Sequence, residues 1–178
     1  NDYKISDDEA ILYVAFISQW NRANRKITEL DYDKFKEFMS RNNQTFNELS
    51  KTKIESLLTE NKETGSKIAN LAQALSEIAG VGWVGATKIL HMRLPNLFVP
   101  IDNAIAKQKA YQIKKGKKFG DSYFSFLCKV SERFNPVYEI WKNNLEIRTG
   151  FFNLEKSFAK AIDEYNFLKV HQQDVDSW

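Results

Sequence analysis

Three glycines and one acid carry the chemistry for which this sequence can be read. In EIAGVGWVGATKILHMRLPNLFVPIDNAIAK, residues 77–107, Gly80, Gly82 and Gly85 stand close together, and Asp102 is the only acidic residue between Gly80 and Lys118. Glycines so spaced let the backbone take left-handed turns, and the amides left unpaired at the start of a following helix suit a phosphate. Two chemistries fit this pattern. GVGWVG matches the dinucleotide fingerprint G-x-G-x-x-G, with Asp102 twenty residues beyond Gly82, where a ribose-binding acid belongs. The other is a bend between two helices that grips one phosphate of a nucleic-acid backbone without reading a base.

The elements around the glycines separate the two. A dinucleotide fold needs a strand to deliver the chain to them, but SKIANLAQALSEIA keeps Ile68, Leu71, Ala72, Leu75 and Ile78 at helical spacing. A short helix should follow Gly82 and stop near Arg93, because Pro95 cannot continue it. Helical punctuation runs through the rest of the chain. Ser6 with Glu9, and Thr45 with Glu48, read as capping boxes, while Asp31, Ser66, Asp102 and Asp121 stand where helices should begin. Asn135 with Pro136 predicts a further helix start, Asn153 opens a last helix, and the acidic tail HQQDVDSW is expected to be disordered. The one strand candidate, LFVPI, contains Pro100 and is demoted by it. The expectation is an all-α, compact domain of about eight to ten helices. It should span residues 1–178 as one unit, with two possible lobes, about 30–118 and 1–29 plus 119–178.

Composition narrows the function classes. The 178 residues are 43% hydrophobic, enough for a core without disulfide support. A single cysteine, Cys128, fits a reducing compartment and a buried small hydrophobe, and it excludes a cysteine-ligated cluster. No apolar run is long enough to cross a bilayer, so the expected location is cytoplasmic, with no membrane partner. Two histidines, His91 and His171, without a cysteine cluster give no metal site, and no cofactor is expected. Charge is unevenly spread. Between Gly80 and Lys118 there are eight Lys or Arg against Asp102, while the remainder carries 18 basic and 22 acidic residues. A basic stretch of this kind commonly meets phosphates, and the bland alternative for QIKKGKKFG is a solvated loop.

The spacing L-x-x-I-x-G-V-G-x-x-x-A-x-x-I-L, from Leu75 to Leu90, resembles the helix-hairpin-helix motif, and PNLFVPIDNAIAK resembles the segment that follows it in the helix-hairpin-helix (HhH-GPD) DNA glycosylase superfamily. The resemblance covers Leu75–Lys107. It implies an all-α fold, double-stranded DNA as partner, and a base-excision repair hydrolase that breaks the N-glycosidic bond of a damaged or mismatched base. Asp102 matches the family's aspartate, which stabilises the positive charge that builds on the sugar. Bifunctional members carry a lysine two residues after the second hairpin glycine. Val84 stands there, so the resemblance implies a monofunctional enzyme, with Lys88 one helical turn further on.

The expected DNA contacts are Gly80, Val81, Gly82, Val84, Gly85, Lys88, Lys107 and Lys109, the lysine run to Lys118 extending the phosphate track. Trp20, Trp83 and His91 are candidates for a base pocket, although core packing is the commoner use of such residues. A non-enzymatic nucleic-acid-binding hairpin is the alternative, and a helical scaffold without nucleic-acid affinity is the third reading.

Overall fold

The computed structural model describes residues 5–20, 30–108, 111–149 and 156–175. Nine α-helices run through them: α1 (Asp7–Trp20), α2 (Tyr32–Arg41), α3 (Asn43–Leu49), α4 (Lys62–Ser76), α5 (Gly82–Arg93), α6 (Asn103–Ala106), α7 (Phe119–Asn143), α8 (Leu145–Thr149) and α9 (Phe158–Val175). Short 3₁₀ helices occupy Ile54–Thr59 and Gly116–Lys118, and no strand occurs among the described residues. The protein is a compact, all-α domain. A helix, α4, delivers the chain to the glycines, which removes the setting that a dinucleotide fingerprint needs.

The caps show local chemistry at work. The Ser6 hydroxyl accepts from the Glu9 amide at 3.1 Å, Asp31 accepts from the Lys34 amide at 3.1 Å, and Asn61 accepts from the Thr64 amide at 2.9 Å. Three expected starts are displaced. Thr45 lies inside α3, which begins after Asn42, Ser66 lies inside α4, where its hydroxyl donates back to the Lys62 carbonyl, and Asp121 lies in the first turn of α7, which begins at Phe119. The last helix runs through Val175, so the tail expected to be disordered is helical up to that residue. Asn153 lies outside the described residues.

Pro136 does not start a helix. It sits within the 25-residue α7, where a proline loses one backbone hydrogen bond and crowds the preceding turn, at a cost of about 3 kcal/mol. Aromatic packing on both sides of it accounts for the continuation. Tyr138 and Trp141 each meet Phe158 of α9 with ring centroids 5.0 Å apart, and Phe134 meets Tyr165 at 5.2 Å.

The core is centred on α4 and the first half of α7. Ile68, Leu71, Ala72 and Leu75 present the expected stripe, all buried, to Phe119, Tyr123, Phe126 and Leu127. A stack of rings runs along α7, with Phe119, Tyr123 and Phe126 spaced 5.7 Å and 6.0 Å apart. Two helices come this close because of Gly120. A Cβ there would lie 2.2 Å from the Ala69 carbonyl oxygen of α4. Cys128 is half-buried, and burial pushes its thiol pKa up, which disfavours the reactive thiolate.

Alanine normally stabilises a helix relative to glycine. At position 120 the sign should reverse: Gly120→Ala is expected to destabilise the fold by about 1–3 kcal/mol through overpacking. Urea unfolding followed by circular dichroism checks this.

Candidate functional site

The stretch from Leu75 to Ile105 folds as two helices, a bend and a buried extended segment. Leu75, Ile78 and Val81 point into the core on the α4 side and Ala86, Ile89 and Leu90 on the α5 side, so apolar burial fixes the angle of the bend. Gly80 and Gly82 both take positive φ, 79° and 61°, which glycine alone adopts without strain. A Cβ on Gly82 would meet nothing within 4 Å, so conformation requires this glycine and the bend faces open space. Val81, the residue before α5, makes no side-chain cap, and the amides of the first turn have no local side-chain acceptor from it. Gly85 is buried, a Cβ there would lie 3.4 Å from a Val81 methyl, and Val84 is half-buried.

Beyond α5 the chain turns at Pro95–Leu97 and runs buried from Leu97 to Ile101 with neither helix nor strand. A buried segment with neither helix nor strand must find partners for its polar backbone groups elsewhere. The amides of Leu97 and Phe98 turn back to the Leu94 carbonyl at 3.1 Å and 3.2 Å, and three side chains serve groups further on. The His91 Nδ1 lies 2.7 Å from the Phe98 carbonyl, the Tyr123 hydroxyl donates to the Val99 carbonyl at 2.9 Å, and the Thr87 hydroxyl accepts from the Ile101 amide at 3.2 Å while donating to the Val84 carbonyl at 3.0 Å. Burial pushes the Tyr123 pKa well above its ordinary range, so the phenol stays protonated as a donor.

This framework delivers Asp102 to the start of α6. Its Oδ1 accepts from the amides of Ala104 at 2.9 Å and Ile105 at 2.8 Å, which is the expected cap. The second oxygen is not used by the cap. Asp102 lines a cavity of about 590 Å³ together with Lys88, Pro100, Ile101 and Ile105. Helix α9 forms the facing wall with Asp163, Glu164, Phe167 and Leu168, flanked by ion pairs Lys160–Asp163 at 2.6 Å and Lys156–Glu164 at 2.7 Å.

Expected site residues therefore divide. Asp102 and Lys88 share the cavity wall. Lys88, expected at the phosphate surface, is 6% exposed and belongs to the cavity instead. The hairpin residues stand together at the bend, and Lys107 is exposed just past α6. His91 is a core histidine, and Trp83 packs on Phe119 at 6.2 Å under the Lys115 ammonium, so neither lines the cavity. Lys109 and the side chain of Trp20 lie outside the described residues. Thr87 and the α9 wall were not anticipated. Thr87 looked like one more helix residue, and the charges of α9 show no motif in sequence because their meaning comes from facing Asp102.

Among the described residues no group of three or more His, Cys, Asp or Glu is placed to hold a metal ion, and no helix is long and apolar enough to cross a membrane. Compared with known proteins, the chain matches no family model, no curated protein and no solved structure.

Two measurements probe the framework. Thr87→Val leaves the buried Ile101 amide without its acceptor and is expected to cost about 1–3 kcal/mol, with Thr87→Ser recovering most of it, as read by urea unfolding. His91 supplies a pH dependence. Burial holds its pKa below the ordinary value, against the smaller opposing effect of the Phe98 carbonyl. The unfolded chain therefore takes up a proton at this residue that the folded chain resists. The stability linked to His91 is complete above about pH 6.5 and is lost as the pH falls below it. Unfolding midpoints measured from about pH 7.5 down to about pH 5.5 should decline, and His91→Gln should flatten that decline.

Proposed function

We propose that this protein binds duplex DNA and acts as a monofunctional base-excision glycosylase, hydrolysing the N-glycosidic bond of a damaged or mismatched base in the manner of the HhH-GPD superfamily. The observation that supports this reading most is the placement of Asp102 in the wall of an open cavity one segment beyond a glycine bend. Lys88, on that wall, is six residues along α5 from Gly82, a rise of about 9 Å. At about 3.4 Å per nucleotide of strand, a phosphate held at the bend leaves two to three nucleotides to reach the cavity.

In this reading the unpaired amides of the α5 first turn and its positive dipole end hold a backbone phosphate. A nucleotide flipped out of the duplex enters the cavity, whose volume suits a small ligand, and its base lies against Pro100, Ile101 and Phe167. As the glycosidic bond stretches, its electron pair leaves with the base and positive charge develops on the sugar. The Asp102 carboxylate stabilises that charge and orients the water that attacks the anomeric carbon. The Lys88 ammonium offers the opposite charge where the departing base carries the bonding electrons. The water's proton passes to the carboxylate and on to solvent, the departing base takes up one proton in exchange, and the products are a free base and an abasic site.

A second reading keeps the hairpin as a DNA clamp and gives Asp102 no chemistry. The observation favouring it is that Asp102 already has a complete structural task as the cap of α6.

Asp102→Asn distinguishes the two, because asparagine retains the capping oxygen and loses the charge. On a panel of duplexes bearing oxidised, alkylated, deaminated or mismatched bases, the protein should release free base from at least one. Asp102→Asn should lower that rate about a hundredfold or more while DNA affinity is kept. Release from no member of the panel, or release unaffected by the substitution, leaves only the clamp.

A further inference from the structure

The lysine run after α6 is built into the hairpin. Gln73, near the end of α4, grips it from two sides: its Nε2 donates to the Gly116 carbonyl at 3.2 Å and its Oε1 accepts from the Gly120 amide at 2.9 Å. Between those two points lie Lys117 and Lys118, both exposed. On the other arm of the hairpin, the Lys115 ammonium stands over the Trp83 ring, 4.8 Å from its centroid, and Trp83 is the second residue of α5. The run thus crosses both helices beside the bend. Its ends are held as well. Lys114 donates its amide to the Ser122 hydroxyl at 2.7 Å, Gly116 turns the chain at φ 69°, and Gly120 locks the start of α7 against the α4 backbone.

Behind the run is a depression of about 290 Å³ whose walls include Lys114, Lys118, Lys129, Ser122 and Ser125. One carboxylate, Asp121, shares that wall, and Glu77 accepts from Gln73 at 2.6 Å. Five lysines against two acids leave the surface strongly positive, with hydroxyl donors between the charges.

We infer that this clamped lysine surface is a preformed extension of the hairpin that binds successive phosphates of the same DNA duplex, and that Gln73 is the residue that positions it. The inference rests on the DNA-binding reading above and adds to it a second contact region. A solvated loop of lysines pays for its ordering when it binds. Here the backbone is ordered in advance by groups that carry no net charge, so more of the electrostatic attraction appears as affinity. Gln73 touches no phosphate; it acts through Gly116 and Gly120.

The experiment measures duplex DNA affinity against salt for the full chain and two variants. Neutralising the exposed lysines together (Lys114→Gln, Lys115→Gln, Lys117→Gln, Lys118→Gln) should reduce the magnitude of the slope of log K against log salt by about 3 to 4. Gln73→Leu removes the clamp without changing charge, and should weaken binding roughly threefold to tenfold. Placed in the lysine-neutralised background, the same Gln73→Leu should change affinity by less than about twofold, an outcome that a general loss of stability would not produce. Circular dichroism confirms folding, and because the lysine substitutions are all on exposed side chains they carry the test even if Gln73→Leu unfolds. A chain that binds DNA with a slope untouched by the four substitutions overturns this inference and leaves the hairpin reading standing. Equal Gln73→Leu deficits in both backgrounds overturn the positioning role. Absence of any DNA binding by the unaltered chain overturns both.

Discussion

The structure depends on satisfying a buried stretch of irregular backbone. From Leu97 to Ile101 the chain crosses the interior outside any helix or strand, with a turn at Leu94 pairing only the amides of Leu97 and Phe98. Each polar group left unpaired there would cost about 1–3 kcal/mol; the Leu94 carbonyl takes the amides of Leu97 and Phe98, and Thr87, His91 and Tyr123 reach the Ile101 amide and the Phe98 and Val99 carbonyls. Two of those three side chains come from α5, the helix that starts at the glycine bend. The bend and Asp102 are thereby parts of one hydrogen-bonded body, and neither moves without breaking a buried bond.

Helix α5 consequently has two working ends and a working side. Its first turn faces open space at Gly82, its middle supplies Lys88 to the cavity, and its last turn holds the Phe98 carbonyl. Opposite it, α4 carries the apolar stripe that seats the hairpin on α7 and, on its outer side, Gln73. A helix pair that does both is economical in sequence. The same fifteen residues of α4 that form the core also reach the lysine segment, because Gly120 lets α7 approach within backbone contact.

Charge is distributed on the same plan. The basic excess between Gly80 and Lys118 includes in the fold a buried member, Lys88, a half-buried one, Arg93, the exposed Lys107 past α6, and an exposed group at residues 114–118. Acidic residues concentrate elsewhere, and those that reach the cavity from α9 sit in ion pairs with lysines of the same helix or its lead-in. The cavity therefore keeps charges of both signs at its wall without a large excess of either, while the outer surface beside the bend does not.

What sequence determined by itself was local. Helical periodicity, the Ser6, Asp31 and Asp102 caps, and the turn glycines Gly80 and Gly82 follow from side-chain hydrogen bonding and backbone sterics within a few residues, and these were legible without the fold. Tertiary structure decided everything that depends on a partner distant in the chain. Pro136 is carried inside α7 because Tyr165 packs on Phe134 before it and Phe158 on Tyr138 and Trp141 after it, a compensation invisible at Asn135–Pro136. Lys88 is buried and His91 is a backbone ligand because the segment after Pro95 folds back onto α5. Asp102 meets a cavity only because α9, more than fifty residues later, supplies the other wall. Short-range geometry is written in adjacent residues, whereas burial and facing charges are properties of surfaces that exist only once the chain has closed on itself.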